Sequence, residues 1–188
     1  MHRTDLLAYL YNHRTRFMEE AAYTRRAIDF IQQQQDCFYR ELWPMHVTGS
    51  TWVVCPGREK VLLLHHLKLD QWFQPGGHAD GDHDILNVAL KELSEETGLQ
   101  ASQIRLLSED VFDVDIHGIP AMHGDPAHEH IDIRFLVEID DQIEIPGNDE
   151  SHEVRWVTLE QASHFNNNMS TRRMVQKTRW LHTQLSRR

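Results

Sequence analysis

The stretch Gly77–Leu99, GHADGDHDILNVALKELSEETGL, decides how this chain is read. Its second half predicts a helix from about Asp84 to Thr97 that stops at Gly98, a residue suited to a left-handed helix cap. Glu92, Glu95 and Glu96 stand at i, i+3 and i+4, so at about 100° per residue they share a sector of roughly 100° on the helix surface. Leu86, Leu90 and Leu93 fall on a neighbouring sector, which predicts a helix that buries its leucines and presents its acids as a rigid cluster. Carboxylates so placed repel one another, and in the C-terminal half of a helix they also oppose the macrodipole. Lys91 compensates with a single charge beside the cluster; a hard divalent cation with oxygen ligands, magnesium or manganese, neutralises it better. An isolated Glu-x-x-Glu-Glu is commonly a solvated helix face. Here Pro75-Gly76-Gly77 lies immediately upstream, where glycine lets backbone approach a ligand and a free carbonyl join a metal shell.

Outward from this helix, the chain alternates strand and helix signals. Residues from Asp5 to about Gln34 carry apolar positions at three- and four-residue spacing, which predicts two helices, and Pro44 then punctuates the chain. His46 to Cys55 and Val61 to His66 predict a hairpin turning at Pro56-Gly57. Further strands fit Ile104 to Leu107, Val111 to Ile116, Ile131 to Ile139 and Val154 to Val157, and a last helix fits Thr171 to Leu185 with Ser170 as N-cap. Strands on both sides of one central helix, with helices before and after, predict a mixed sheet sandwiched between helices. The expected division is a helical extension over 1–44 and a main domain over 45–188.

Composition limits the function classes. The chain has 188 residues, 40% of them hydrophobic, enough for one α/β domain with a real core. Nineteen Lys plus Arg against 29 Asp plus Glu give 19 − 29 = −10, which disfavours a broad nucleic-acid surface, while small phosphorylated ligands remain compatible through metal ions. Cys37 and Cys55 have no CxxC spacing, so neither a disulfide framework nor a cysteine zinc site is expected. No apolar run approaches a membrane span and the start does not read as a secretion signal, so the expected setting is cytoplasmic, without a membrane partner. The five tryptophans are expected mostly in the core, and the basic end, Arg172, Arg173, Lys177, Arg179, Arg187 and Arg188, on a solvated helix face.

The pattern Gly77-x5-His83-x7-Lys91-Glu92-Leu93-x-Glu95-Glu96-x-Gly98-Leu99 resembles the Nudix box, Gly-x5-Glu-x7-Arg-Glu-U-x-Glu-Glu-x-Gly-U, where U is aliphatic. His83 stands in place of the first glutamate and Lys91 in place of the arginine, two residues that commonly pair in the family to brace the loop against the helix. The likeness extends through Trp72 to Asp82 and Glu150 to Trp156, as in a group of bacterial Nudix proteins with an N-terminal helical extension. It implies a Nudix-type α/β/α sandwich that hydrolyses a nucleoside diphosphate linked to another moiety. It further implies Mg2+ or Mn2+ held by Glu92, Glu95, Glu96 and the Gly77 carbonyl. A further acid acts as general base in the family, with Glu150 the first choice and Glu153 and Glu129 behind it. The partner so implied is a small nucleotide-like diphosphate, and a homodimer is compatible.

Fourteen histidines are many, and several flank the box: His65, His66, His78, His83, His117, His123, His128 and His130. His78, His83 and Lys91 are the side chains expected to touch substrate. In a strand His128, His130 and Asp132 would share a face, a row suited to a second metal such as zinc or manganese. Two rival readings accompany the hydrolase. The altered box allows a module that binds a nucleotide or protein partner without turnover, and an allylic diphosphate isomerase ranks last for want of a cysteine partner.

Overall fold

Two helices open the fold where apolar spacing predicts them: α1 (Arg3–Asn12) buries Leu6 and Leu10, and α2 (Met18–Gln33) buries Ala27 and Ile31. The computed structural model describes residues 2–67, 70–121, 124–147 and 151–185. The later elements are β1 (Met45–Val54), β2 (Lys60–His66), β3 (Gln71–Phe73), β4 (Gly76–His78), α3 (Ile85–Thr97), β5 (Arg105–Leu106), β6 (Asp113–Ile119), β7 (His128–Glu138), β8 (Ser151–Thr158), α4 (Leu159–Phe165) and α5 (Met169–Leu185). Among the described residues the strands form one eight-stranded sheet in the order β3-β2-β1-β7-β5, with β4 paired to β1, β6 to β7 and β8 to β2. The amide of Glu129 donates to the Pro44 carbonyl (2.9 Å) and that of Ile139 to Val54 (3.1 Å), so β7 runs parallel to β1. The pairings of β1 with β2 and of β6 with β7 are antiparallel, so the sheet is mixed as expected.

By internal contacts the chain falls into two compact units, Met1–Ser50 with Gly76–Lys91 and Glu109–Phe135, and Thr51–Pro75 with Glu92–Ser108 and Leu136–Arg188. In the first unit α2 packs on β6. The buried Glu20 accepts from the Val114 amide (3.3 Å) and meets His13 Nε2 (2.8 Å), so its charge is satisfied inside the packing. The start of α3 lies against β1 at Gly49, where a Cβ would stand 2.8 Å from the Ile85 carbonyl oxygen and 3.3 Å from the Ala89 nitrogen. Only a residue without a side chain allows that approach.

In the second unit β2 is the centre, with Val61, Leu62, Leu63 and Leu64 buried and β3 and β8 antiparallel to it. The hydroxyl of Thr158 accepts from the Gln161 amide (3.2 Å) while the Gln161 side chain accepts from the Thr158 amide (2.9 Å), a capping box that starts α4. Trp52 Nε1 donates to Thr178 Oγ1 on α5 (2.8 Å), so the largest buried side chain keeps its polar atom paired.

Several expectations need correction. Pro75-Gly76-Gly77 is not only a turn: Gly76–His78 is a strand, registered Thr48↔His78 and Ser50↔Gly76 on β1. Pairing partners impose this conformation on glycines of poor intrinsic strand preference. The last helix is capped by Asn168, whose side chain accepts from the Thr171 amide (2.7 Å), and Ser170 lies inside it. Arg173 on that helix is buried, whereas Arg172 is exposed; Arg187 and Arg188 lie outside the described residues. Trp52 is fully buried, but Trp43 and Trp180 are 38% and 53% exposed. Cys37 and Cys55 are free and buried, and burial pushes both thiols above their ordinary range. Among the described residues no helix is long and apolar enough to cross a membrane.

Candidate functional site

The carboxylates of α3 occupy the rim of the helix. Ile85, Val88, Ala89 and Leu93 form its buried stripe, while Glu92 and Glu96 are half-buried and Glu95 is exposed. Leu86 and Leu90, expected in the core with Leu93, are only half-buried. It is Ile85 and Ala89 that lie against Gly49 of β1. The three acids therefore share one accessible sector, their helix held from behind by Leu93. They offer hard oxygen donors, the ligand type that magnesium and manganese require.

The end of α3 is fixed as its glycine requires. Gly98 adopts φ +75° and its amide donates to the Ser94 carbonyl (2.8 Å). The Gly147 amide donates to the Thr97 carbonyl (3.1 Å), tying the segment before residue 148 to the end of the carboxylate helix. Glu150 itself lies outside the described residues. Glu153, the reserve candidate, is exposed on β8 and paired with Arg155 (3.4 Å); Glu129 is held by Arg26 (2.9 Å).

The loop before α3 is held from a direction the sequence does not reveal. Asp80 receives a two-pronged hydrogen bond from Arg40, through Nε (2.6 Å) and a terminal nitrogen, and this guanidinium holds its carboxyl below the usual carboxylate range. The Gly81 amide donates to the Phe38 carbonyl (2.9 Å), and the rings of Phe38 and His83 lie 4.6 Å apart. Asp84 opens the helix, accepting from the Asn87 amide (3.0 Å), and Asp82 accepts from the Asp84 amide (2.8 Å). His83 thus packs on an aromatic ring, and Gly77, on β4, pairs with Gly49. Lys91 is exposed. Phe38 is buried and Arg40 exposed, so Phe38→Ala is expected to cost about 3–5 kcal/mol. Arg40→Ala is expected to cost about 1 kcal/mol or less. Thermal unfolding of the two variants checks this contrast.

A second cluster stands on the sheet. Ligand atoms of His46 (β1), His78 (β4) and His130 (β7) all lie within 4.8 Å of one another. His128 Nε2 is 3.1 Å from His130 Nε2, and its Nδ1 is 2.9 Å from the Pro126 carbonyl oxygen. Burial, before any neighbouring charge, lowers the His46 imidazole below its ordinary range, His78 to about 4 and His130 to about 2, so all three are neutral near pH 7. Asp132 does not join them. It accepts from Ser50 Oγ (2.8 Å) and Arg134 Nε (2.7 Å), and Arg134 also reaches Asp113 (3.1 Å) and Asp115 (3.2 Å) in a buried network. Burial alone would lower the Arg134 pKa, but the three carboxylates, Asp132 foremost, hold it above its ordinary range. Of the expected histidine and aspartate row, His130 therefore finds imidazole partners while Asp132 is taken up by an ion network. His46 was missed: it lies 32 residues from His78 and 84 from His130, and no spacing signal links them.

Comparison with known proteins supplies the context for this geometry. A family model described as the NUDIX domain matches residues 45–178. A probable DHNTP pyrophosphohydrolase of Lactococcus lactis is 30% identical over 86 residues, 45% of this chain and 49% of that protein. The mouse asymmetrical bis(5'-nucleosyl)-tetraphosphatase is 31% identical over 100 residues, 53% of this chain and 60% of its own length. The chain thus spans about half to three-fifths of these curated relatives. A Caenorhabditis elegans Ap4A hydrolase in a binary complex superposes with a TM-score of 0.59 at 19% identity, covering 72% of this chain and 96% of that one.

Proposed function

Because this chain belongs to the NUDIX-domain family, we propose that it hydrolyses a diphosphate linkage in a small nucleoside diphosphate derivative, using Mg2+ or Mn2+. The observation that carries this reading is the gathering of Glu92, Glu95 and Glu96 on the accessible sector of α3, directly before the Gly98 cap. These acids and the Gly77 carbonyl would hold the metal ions. Cations held there would supply neutralisation of the diphosphate oxygens and acidification of the attacking water. Glu150 is the base that takes the proton from that water. Lys91 contacts substrate phosphate from its exposed position on α3. His83, packed on Phe38, positions the loop.

The matched relatives are named for the hydrolysis of dinucleoside tetraphosphates and of dihydroneopterin triphosphate, both phosphoanhydrides, which supports this substrate class. In this reading residues 1–44 are the helical extension and 45–188 the catalytic domain. It works in the cytoplasm on a small molecule, with neither a nucleic acid polymer nor a membrane as partner.

Phosphate or nucleotide release from a panel of nucleoside diphosphate derivatives, with magnesium or manganese, tests the proposal. Metal-dependent turnover of at least one compound is expected. The second reading, binding without turnover, draws on His83 in the place of a family glutamate and its packing against Phe38. Tight nucleotide binding with no product from any compound would favour it.

A further inference from the structure

Three strands bring the imidazoles of His46, His78 and His130 to one point. His46 is 1% exposed, and its Nδ1 lies 3.4 Å from the Leu42 carbonyl oxygen. With Nδ1 donating there, the lone pair belongs to Nε2, which is buried and makes no hydrogen bond in the structure. A buried polar atom left in that state costs free energy unless a further group meets it. Within 4.8 Å of one another stand the ligand atoms of His46, His78 and His130.

We propose that His46, His78 and His130 form a site for a borderline transition-metal cation, zinc in the first instance, built of imidazole rather than carboxylate donors. Imidazole nitrogen is the donor that suits zinc, whereas magnesium takes oxygen. Nitrogens bound to one tetrahedral zinc at about 2.0–2.1 Å are about 3.4 Å apart, so the observed spread closes by side-chain rotation. Imidazole binds metal through the lone pair of its neutral form, the lone pair that His46 Nε2 offers here. The surroundings are those of a held ligand set. The Leu42 carbonyl fixes the His46 tautomer, and His128, oriented by Pro126, borders His130. Protein thus supplies three ligands and leaves a fourth position open, to water or to an anionic group such as phosphate.

The test uses the full chain without a polyhistidine tag, stripped with chelator and titrated with zinc chloride by calorimetry, with no substrate present. One equivalent of tight zinc is expected, and cobalt(II) in its place should give visible d–d bands sensitive to the ligand set. His78→Asn and His130→Asn should each weaken zinc by at least about 100-fold, more than the 10–100-fold that losing an outer-shell partner costs. Circular dichroism of the same samples verifies that the variants are folded. Glu95→Gln combined with Glu96→Gln should retain the zinc equivalent, so this site stands or falls apart from the hydrolase proposal. Absence of saturable zinc binding in the unaltered protein would overturn it. So would zinc binding that folded His78→Asn and His130→Asn variants keep at full affinity.

Discussion

Replacing Glu95 and Glu96 together by glutamine is expected to lower turnover by about 10³-fold or more, since metal-borne charge stabilisation is worth several kcal/mol and each 1.36 kcal/mol is tenfold in rate. Glutamine keeps the length and helix preference of glutamate, so what changes is charge alone. Stability should hold or rise slightly, because like charges at i and i+4, as at Glu92 and Glu96, cost a few tenths of a kcal/mol that the substitution relieves. Initial rates with magnesium or manganese, read beside a thermal melt, distinguish a lost metal site from a lost fold. Activity surviving in a folded double variant would remove the carboxylates of α3 from the reaction.

Arg134→Leu is expected to destabilise the fold strongly. The guanidinium is 3% exposed and reaches Asp113, Asp115 and Asp132 at 3.1, 3.2 and 2.7 Å. Leucine fills much of the volume but leaves three buried carboxylates without that cation, and breaking a buried pair in this way costs about 3–5 kcal/mol. In a domain of this size each kcal/mol is about 2–4 °C, so the melting temperature should fall by roughly 10 °C. Asp132→Asn keeps two carboxylates on the guanidinium and should cost less. Equal melting temperatures for Arg134→Leu and the unaltered protein would show that the network contributes nothing.

The parts of the fold that rest on local spacing were legible from residues alone. The i, i+3, i+4 placement of Glu92, Glu95 and Glu96 and the stop at Gly98 are consequences of helix geometry, and the Gly98 backbone conforms. Which hydrophobic residues of α3 face inward was not legible, because Ile85 and Ala89 lie against Gly49, distant in sequence. Asn168 and Ser170 are both good caps two residues apart, and composition does not choose between them. The same limit hid His46, Phe38 and Arg40, whose roles arise only when separate strands and loops meet. Their partners lie 32 to 84 residues away, beyond any periodic signal.

The family match begins at residue 45, yet Arg40 grips Asp80 and the Phe38 backbone receives the Gly81 amide inside the loop between β4 and α3. Where a pedigree starts and where a mechanical part starts are therefore different places along this chain. Cutting at the inherited boundary would excise two of the struts that shape the loop leading into α3, delivering a domain complete by descent and under-built by architecture. Residues 38 to 40 are better regarded as masonry shared with the loop than as an appendage, free to vary only as far as Asp80 and Gly81 permit.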